Sequence, residues 1–415
     1  ASRYMCRNPE KRNKMMNRIG KSFAELADAF ATQMRMVCHD AGVVLFFVFL
    51  PLAYPVLYSL IYNPELVRDV EVVIVDHDRT PLSREMARRL DATQEVNVLG
   101  YAAEMGEARR AMASHSCFGI IEIPHGFERK ASGGEGAQVI MYSDMSLMLR
   151  YRSILLATTN VALDMGAELM SRQINTQMPI AETIATEEPM HIVSEYSGNP
   201  KAGFASYVMP GVLILILHQC LILAVGMCGG TRHENPLAYA GRSLAAMRRH
   251  HMARMLGQML CFFTVALLPT VWLLYYIPLI FQFPMAGDIW QELLFVVPMI
   301  LACISLGLCL QGIVWQREGI FVIWVLTSVM CLFLSGITWP RFAMPAAWHA
   351  LGDCIPSTWG IEGFVRMNTN GATLAQAGSE YAMLWVLAAV YTAAAYCIQR
   401  WMVTPDLRRR ILLAR

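Results

Sequence analysis

Six stretches of the chain are almost entirely apolar and carry no charge over most of their length. Each of them, at about 1.5 Å of rise per helical residue, is long enough to cross the roughly 30 Å hydrocarbon core of a bilayer. The pattern therefore predicts an α-helical integral membrane protein with six transmembrane helices. These lie at 41–62, 206–229, 255–280, 292–314, 319–338 and 381–399.

A long polar region, residues 63–205, separates the first two spans and reads as soluble protein. Short β-type runs alternate there with helical patterns, which predicts an α/β domain with a small sheet. Thr80 and Pro81 are typical of a helix start, and Pro124 is expected to open a later helix. The predicted strands are Glu71–Asp76, Glu95–Leu99, Cys117–Ile123 and Val139–Tyr142, and the predicted helices are 81–90, 103–112 and 147–177.

The first 40 residues form a separate amino-terminal region. Residues 1–18 are basic and lack an apolar period, so we interpret them as a peripheral arm. From Ile19 to Val37 apolar residues recur at steps of three and four, which predicts an amphipathic helix. It is expected to lie at the membrane surface, and the alternative is a helix packed on a soluble partner.

Charge predicts the orientation of the spans. Of the residues, 55% are hydrophobic and 16% are charged, and the net charge is +2. With both termini inside, the cytoplasmic pieces hold 19 Lys or Arg and 7 Asp or Glu, whereas the outer pieces hold 15 and 25. This bias follows the positive-inside rule and predicts a multi-pass protein with both termini in the cytoplasm. The cytoplasmic pieces are 1–40, 230–254, 315–318 and a basic tail that includes 401–415.

The spans contain almost no ionisable groups, since only Glu292 and Arg400 lie near span ends. Ion-driven carriers need such groups within the membrane, so the energy for any transport must come from elsewhere. The exception is the polar pair His218 and Gln219, near the middle of the second span. This pair could line a substrate path or meet a partner across a dimer interface. Alternatively, it only hydrogen-bonds a neighbouring helix.

No site for chemistry is predicted in this chain. Gly20, Lys21 and Ser22 resemble the end of a phosphate-binding loop, but Met15 stands where that loop requires glycine. The chain is therefore expected to have no ATPase site, no catalytic residues and no cofactor of its own. Two groups of residues are disfavoured as metal ligands. The first is His233, His250 and His251, whose spacing does not suit a shared metal ion. The second is Asp76, Asp78 and Asp144, because aspartates at strand ends more often close turns. A bridge between Cys117 and Cys354 is left open.

Several motifs, taken in order, resemble the permease subunits of ABC-2-type exporters, in the subgroup with a large domain between the first two spans. The match rests on their order and spacing from about residue 40 to 400. The motifs are Val75–Ser83, Gly119–Pro124 with Phe127 and Glu128, Asn199–Pro200 before Pro210–Gly211, Leu334–Pro340, Met344–Pro345, Ile355–Pro356 and Gly360–Phe364.

The resemblance implies a dimer of permeases and a separate ABC ATPase subunit that holds ATP and Mg. The loop between spans two and three, 230–254, would be the coupling helix. There Asn235 and Pro236 can start a short helix. The residues expected to contact the ATPase are Leu237, Tyr239, Leu244 and Met247 by packing, and Glu234, Arg242 and Arg317 by charge.

One departure concerns Glu234, since the family often has an acidic-basic-acidic run before Gly-Thr at this loop. Here Gly230 and Thr231 come first, and Glu234 is the loop's one acidic residue. The alternative interpretation is a solvated basic loop that only fixes topology.

A path between the protomers is expected along spans two and five, with His218 and Gln219 on it or at the dimer interface. The 340–366 segment, which the family folds partly back into the membrane, would act as a lid on this path. Trp339, Phe342 and Trp359 are expected on the path or at the dimer interface. A periplasmic adaptor is expected by analogy alone. The sequence does not give the identity of the substrate, whether the dimer is a homodimer or a heterodimer, or whether an outer-membrane channel is attached. Uncharged walls of the path favour lipids or amphipathic drugs as substrates.

Two other functional classes compete with an exporter subunit. One is a membrane-anchored receptor or assembly scaffold that uses the outer α/β domain, and it would need no ATPase partner. The other is a secondary carrier, whose transport would collapse with the ion gradient and survive removal of ATP.

Overall fold

The computed structural model describes residues 9–62, 65–133, 136–177, 198–199, 203–235, 251–403, 405 and 409. The chain forms two compact units. One comprises 1–63 with 196–415, and the other comprises 64–195. We refer to them as the membrane unit and the α/β unit.

The helices and strands are numbered in chain order. They are α1 (Pro9–His39), α2 (Ala41–Ile61), β1 (Val70–Asp76), α3 (Pro81–Asp91), β2 (Val96–Tyr101), α4 (Met105–Ala113), β3 (Gly119–Ile123), α5 (Phe127–Gly133), β4 (Ile140–Ser143), α6 (Met148–Gln177), α7 (Phe204–Glu234), α8 (His251–Phe281), α9 (Ile289–Leu310), α10 (Gly319–Leu334), α11 (Ala346–Asp353), α12 (Pro356–Asn370) and α13 (Gly378–Met402).

Five of these helices, α2, α7, α8, α9 and α13, are long and apolar enough to cross a membrane. The sixth predicted span, 319–338, corresponds to α10, which is equally apolar but has 16 residues. It ends at Leu334 because the chain turns sharply at Gly336, whose φ of +90° is open to glycine and strained for other residues. The chain is therefore an α-helical membrane protein, with five full-length candidate spans and one shorter apolar helix among the described residues.

Helix α7 is the centre of the membrane unit, since 89% of its most apolar 18-residue stretch is buried. It runs beyond the predicted second span and ends at Glu234. Near one end, Tyr207 donates a hydrogen bond to the Ile337 carbonyl at 3.0 Å; near the other, Thr231 donates to Asp40 at 2.8 Å. These contacts are separated by about 36 Å of helix, at about 1.5 Å per residue, so they lie at opposite ends of a membrane-spanning element.

Helix α1 differs from its prediction in two ways. It begins at Pro9, within the stretch that was expected to be an arm without helical pattern. Its buried positions include Ala29, Gln33 and Met36, whereas Phe23 of the predicted apolar face is 68% exposed. The reason is close packing on α8, where a Cβ at Gly257 would meet the carbonyl of Leu26 and the small side chain of Ala29.

The α/β unit has a four-stranded sheet with the order β2-β1-β3-β4. Strands β2 and β3 pair parallel to β1, and β4 pairs antiparallel to β3. One face packs Val72, Ile74 and Ile121 against α3 and α6, and the other packs Val75 and Ile120 near α4. The alternation of strands and helices inferred from the sequence is thus present, with boundaries that differ by one to three residues.

The turn after β1 is closed by its aspartates. Asp76 accepts hydrogen bonds from the backbone of Asp78 and Arg79 and from the Ser83 hydroxyl, and Thr80 caps α3 as expected. Asp78 accepts from the backbone N–H of Gly126 at 2.7 Å.

The prediction that Pro124 opens a helix was wrong. Helix α5 begins at Phe127, because Gly126 first turns the chain with a φ of +80°. The Asp78 carboxylate then accepts from the Glu128 N–H, which is one of the free donors of the first helical turn.

Cys117 is a buried thiol of the α/β unit, and Cys354 is an exposed thiol of the membrane unit. Among the described residues, no three His, Cys, Asp or Glu side chains are grouped as a metal site would require.

Candidate functional site

Asp40 is the single residue between α1 and α2, and it caps the second of these helices. Its Oδ1 accepts hydrogen bonds from the N–H groups of Gly42 at 3.1 Å and Val43 at 3.3 Å. Such caps satisfy donors that the first turn of a helix otherwise leaves free. The residue is 7% exposed, so its negative charge is largely removed from water.

Two distant segments supply the other partners of this carboxylate. Thr231, near the end of α7, donates its hydroxyl to Asp40 Oδ2 at 2.8 Å. Arg317, between α9 and α10, donates its Nη2 to Asp40 Oδ1 at 2.5 Å. A buried carboxylate is stable only with such charge-assisted bonds, because removing an ion from water costs several kcal/mol.

Arg317 also contacts the end of α7 through its backbone. Its N–H donates to Glu234 Oε1 at 2.9 Å. The approach is possible because residue 230 is glycine: a Cβ there would lie 2.7 Å from the Arg317 nitrogen. We call the four residues Asp40, Thr231, Glu234 and Arg317 the Asp40 cluster.

Helix α1 is attached to the same end of the membrane unit by a second set of bonds. Arg232 is 8% exposed and donates to Gln33 Oε1 at 2.5 Å. With its amide oriented so that the oxygen faces this guanidinium, Gln258 accepts a hydrogen bond from Arg232 Nη1 at 3.1 Å. Arg254, near the start of α8, lies 4.0 Å from Glu25 of α1. Four segments therefore meet at the two ends of the loop 236–250. They are α1, α7, α8 and the link between α9 and α10.

Of the residues predicted to contact an ATPase, Glu234 and Arg317 are brought together in this cluster. The other five, Leu237, Tyr239, Arg242, Leu244 and Met247, lie outside the described residues. Sequence reasoning missed Asp40, Gln33 and Thr231. The signal for Asp40 was a lone acidic residue directly before an apolar helix, which is typical of a helix cap.

His218 and Gln219 lie near the middle of α7 and are 1% and 6% exposed. Neither nitrogen of His218 has a hydrogen-bond partner among the described residues, and neither does the Gln219 amide. Burying a polar group without a partner costs about 1–3 kcal/mol. Both side chains are buried within the membrane unit, and the role of the pair on a path, at a dimer interface or in a contact between helices stays a prediction.

A second pair of buried polar residues lies on the first turn of α12, and both of them carry hydroxyl groups. Ser357 and Thr358 are fully buried, and neither hydroxyl has a partner among the described residues. The Cys331 thiol of α10 lies beside both Gln219 and Ser357. Helices α7, α10 and α12 thus share a polar spot that is enclosed in apolar surroundings.

The 340–366 segment contains a short 3₁₀ turn (Arg341–Ala343) followed by α11 and α12. Arg341 is its centre: it is paired with both Asp353 and Glu362, and its guanidinium lies 4.7 Å from the ring centre of Trp359. Trp359 Nε1 also donates to the Asp353 carbonyl at 2.9 Å. The segment is therefore held by ionic and cation–π contacts of its own.

The three aromatic residues predicted to close a path are placed differently. Trp359 is half-buried in the contacts of Arg341, whereas Trp339 is 57% and Phe342 is 91% exposed. The exposed pair follows the turn at Gly336, close to Ile337, which accepts the bond from Tyr207. His218 lies 11 residues further along α7, about 16 Å deeper at ~1.5 Å per residue. The structure therefore places His218 and the exposed pair, Trp339 and Phe342, at different levels along the direction of α7.

The sequence was compared with models of protein families. A family model described as ABC-2 family transporter protein matches residues 42–397, which run from the second residue of α2 into α13. No curated protein matches the chain.

Proposed function

Because the chain belongs to the ABC-2 transporter family, we propose that it is the permease subunit of an ATP-driven exporter. It would work as a dimer in the inner membrane, with both termini in the cytoplasm. A separate ABC ATPase subunit, which holds ATP and Mg, would bind the loop between α7 and α8. This chain would form the path and contribute no catalysis.

The observation that carries this proposal is the position of the Asp40 cluster at the base of that loop. Residues 236–250 leave α7 directly after Glu234 and Asn235, and they rejoin the described chain at His251. A loop displaced by a partner moves the spans only if its base is stiff, because a loose base absorbs the displacement. The bonds of Asp40, Thr231 and Arg317 provide that stiffness.

The cluster also favours transmission to more than one helix. Force on the end of α7 would reach α2 through the Asp40 cap and α10 through Arg317. Since α7 is central and packs against α2, α9, α10 and α12, its movement would separate or press together the helices around it. In this scheme His218 and Gln219 become accessible only when those helices move.

The orientation of the chain in the membrane is proposed from the charge pattern, and export is proposed from the family resemblance. With the basic pieces inside, the Asp40 cluster faces the cytoplasm and the 340–366 segment faces outward. Trp339 and Phe342 would then lie at the outer exit of the path. The contacts of Arg341 within the 340–366 segment would make the segment move as one piece. A periplasmic adaptor on the α/β unit is part of the proposal by analogy. Apolar walls favour an amphipathic substrate.

The test is to replace the two apolar loop residues with acidic ones, as Leu237→Asp with Leu244→Asp. The chain is expressed together with its ABC ATPase subunit, and both co-purification and ATP hydrolysis are measured. We expect the ATPase to be lost from the purified complex, because aspartate cannot fill an apolar groove on the partner.

A matched control is Leu147→Asp, since Leu147 is 43% exposed in the α/β unit and takes no part in the loop. It should leave co-purification unchanged. Retention of the ATPase by the double loop variant, with normal hydrolysis, would overturn the proposal and favour a receptor or scaffold.

A further inference from the structure

The membrane unit contains an apolar groove between α8 and α13, which Leu301 of α9 also lines. It encloses about 480 Å³, within the roughly 300–1,000 Å³ that is usual for small-molecule sites. On α13 the lining runs from Trp385 to Cys397, and on α8 from Met252 to Met259. The stretch of α13 is about 18 Å long at about 1.5 Å per residue, which is roughly one leaflet of a hydrocarbon core about 30 Å thick.

The lining of the groove suits a hydrocarbon chain. On α13 the small side chains of Ala388, Ala389 and Ala393 leave room beside the helix. The Thr392 hydroxyl is hydrogen-bonded to the Ser305 hydroxyl of α9 at 2.8 Å, so it is already satisfied. Among the described residues, no charged side chain lines the groove. A charged group would therefore be poorly accommodated inside it, because nothing there could neutralise the charge.

Basic residues surround Tyr396 at the mouth of the groove, where α8 begins and α13 ends. Arg400 Nη1 donates to the Tyr396 hydroxyl at 2.7 Å, and the His251 ring meets the Tyr396 ring edge-on with 5.3 Å between the ring centres. Arg254 lies 4.0 Å from Glu25 of α1, so its charge is partly balanced. Arg400 is exposed and forms no ion pair with a described residue. Its charge is therefore available to an anion at the mouth.

Two further observations place this mouth at the level of lipid headgroups. Trp401 is 72% exposed, and the Arg400 guanidinium lies 5.4 Å from the centre of its ring. Tryptophan is enriched where a span leaves the hydrocarbon. The sequence also carries Arg248 and Arg249 shortly before α8, and Arg408–Arg410 shortly after α13. Basic clusters directly beside a span are typical of segments that bind anionic lipids.

We propose that this groove holds one acyl chain of an anionic phospholipid, whose phosphate is bound by Arg400 at the level of Trp401. The chain would lie along the alanines of α13, and the headgroup would lie beyond Tyr396. A zwitterionic phospholipid should bind less well, because its cationic group offsets the attraction between its phosphate and Arg400. The site needs no ATPase, and only its assignment to the inner leaflet rests on the proposed function and orientation.

The test uses the full chain in nanodiscs of phosphatidylcholine, without ATPase or nucleotide. The probe is phosphatidylglycerol with a photoreactive diazirine in one acyl chain, and the reference is phosphatidylcholine with the same modified chain. After illumination, the modified peptides are identified by mass spectrometry. We expect the anionic probe to label 252–259 and 385–397 about fivefold more than the reference does, which is the value of one basic side chain near an anionic headgroup. Because no ATPase is present, failure here is distinct from failure of the transport proposal.

Two variants separate recognition of the headgroup from binding of the chain. Arg400→Gln should lower labelling of the groove by the anionic probe about fivefold, to the level of the reference, and should leave labelling by the reference unchanged. Ala393→Phe places a ring in the groove and should lower labelling by both probes about tenfold or more. If Ala393→Phe lowers the melting temperature of the chain, Ala389→Phe replaces it as the groove-filling variant.

Each variant has a matched control. Arg35→Gln removes an exposed arginine of α1 that is not part of the mouth, and Val390→Phe adds a ring at an exposed position of α13 that does not line the groove. Neither control should change the labelling. Equal labelling of the groove by the two probes, or unchanged labelling in Arg400→Gln, would overturn the proposal. Absence of labelling by both probes would show that protein, such as a second copy of this chain, covers the groove, and would overturn it as well.

Discussion

The guanidinium of Arg317 donates to the carboxylate of Asp40 at 2.5 Å, although 277 positions separate the two residues in the chain. The pair joins the start of the first span to the link between α9 and α10. We expect it to contribute to stability as a unit. In Asp40→Asn or Arg317→Gln alone, one partner loses its counter-charge, and the cost is large because the Asp40 side chain is 4% exposed.

The measurement is a double-mutant cycle by thermal unfolding, followed by tryptophan fluorescence. All nine tryptophans belong to the membrane unit, so this signal reports on the relevant part. The double variant should be more stable than the sum of the single effects predicts, by about 1–3 kcal/mol. Strict additivity would mean that the two side chains do not interact.

Gly230 is expected to be intolerant of even a methyl group. Its missing Cβ leaves room for the Arg317 backbone, which would be 2.7 Å away. Gly230→Ala should therefore destabilise the membrane unit by about 1–3 kcal/mol, as overpacking does. Gly20→Ala in α1 is the control, because its Cβ meets nothing within 4 Å. In α1 the substitution should raise the free energy of unfolding by about 0.5–1 kcal/mol. If both variants changed the free energy of unfolding in the same direction, the explanation would be refuted.

His218 is predicted to be dispensable for folding. Its two ring nitrogens are buried without a partner among the described residues, so His218→Leu removes an unsatisfied polar group of similar size. The melting temperature should stay constant or rise. Thr231→Val, also buried, should instead lower stability by about 1–2 kcal/mol, because it removes the bond to Asp40. A marked loss in His218→Leu would show that the ring has a structural partner.

Asp78 should make the start of α5 sensitive to acid. Burial acts to raise the pKa of Asp78, but hydrogen bonds from Glu128, Thr80 and Gly126 outweigh it and hold the pKa below its ordinary value. A lowered folded-state pKa means that the stabilisation is present at neutral pH. It is lost as the pH falls through the folded pKa, below about 3.8.

Hydrogen exchange at Gly126 and Glu128, corrected for the intrinsic pH dependence, is the measurement for this effect. Asp78→Ala should exchange faster than the wild type near neutral pH, and the difference should shrink in acid. A difference that stays the same at all pH values would show that the carboxylate charge is irrelevant.

The sequence predicted the local elements of the α/β unit well, because their signals are local. Thr80 and Pro81 mark a helix start in any context, and the apolar strand around Ile74 has few alternatives. The family resemblance is likewise confirmed over residues 42–397. The start of α5 was misjudged because the residue that caps it, Asp78, lies 50 positions earlier.

The candidate site was only half predicted for the same reason. Glu234 and Arg317 were chosen from charge and topology, but nothing local reveals that Arg317 contacts both Asp40 and Glu234 or that Gly230 permits this approach. The buried face of α1 was also misjudged, since hydrophobicity favoured Phe23 while close packing on Gly257 required the small Ala29. Tertiary contacts decide such cases.

The most direct test of the central claim, that the Asp40 cluster transmits the action of an ATPase to the spans, is the labelling rate of Cys331. This thiol is 4% exposed beside Gln219, and Cys303 of α9 is a fully buried control in the same chain. In the reconstituted complex, ATP should raise the rate at which a membrane-permeant maleimide labels Cys331 but not Cys303. Asp40→Asn, which removes the charge of the same pair at a residue not expected to contact the ATPase, should keep the ATPase bound and active yet abolish that rise. An unchanged Cys331 rate in the wild type, or a full rise in Asp40→Asn, would contradict the account.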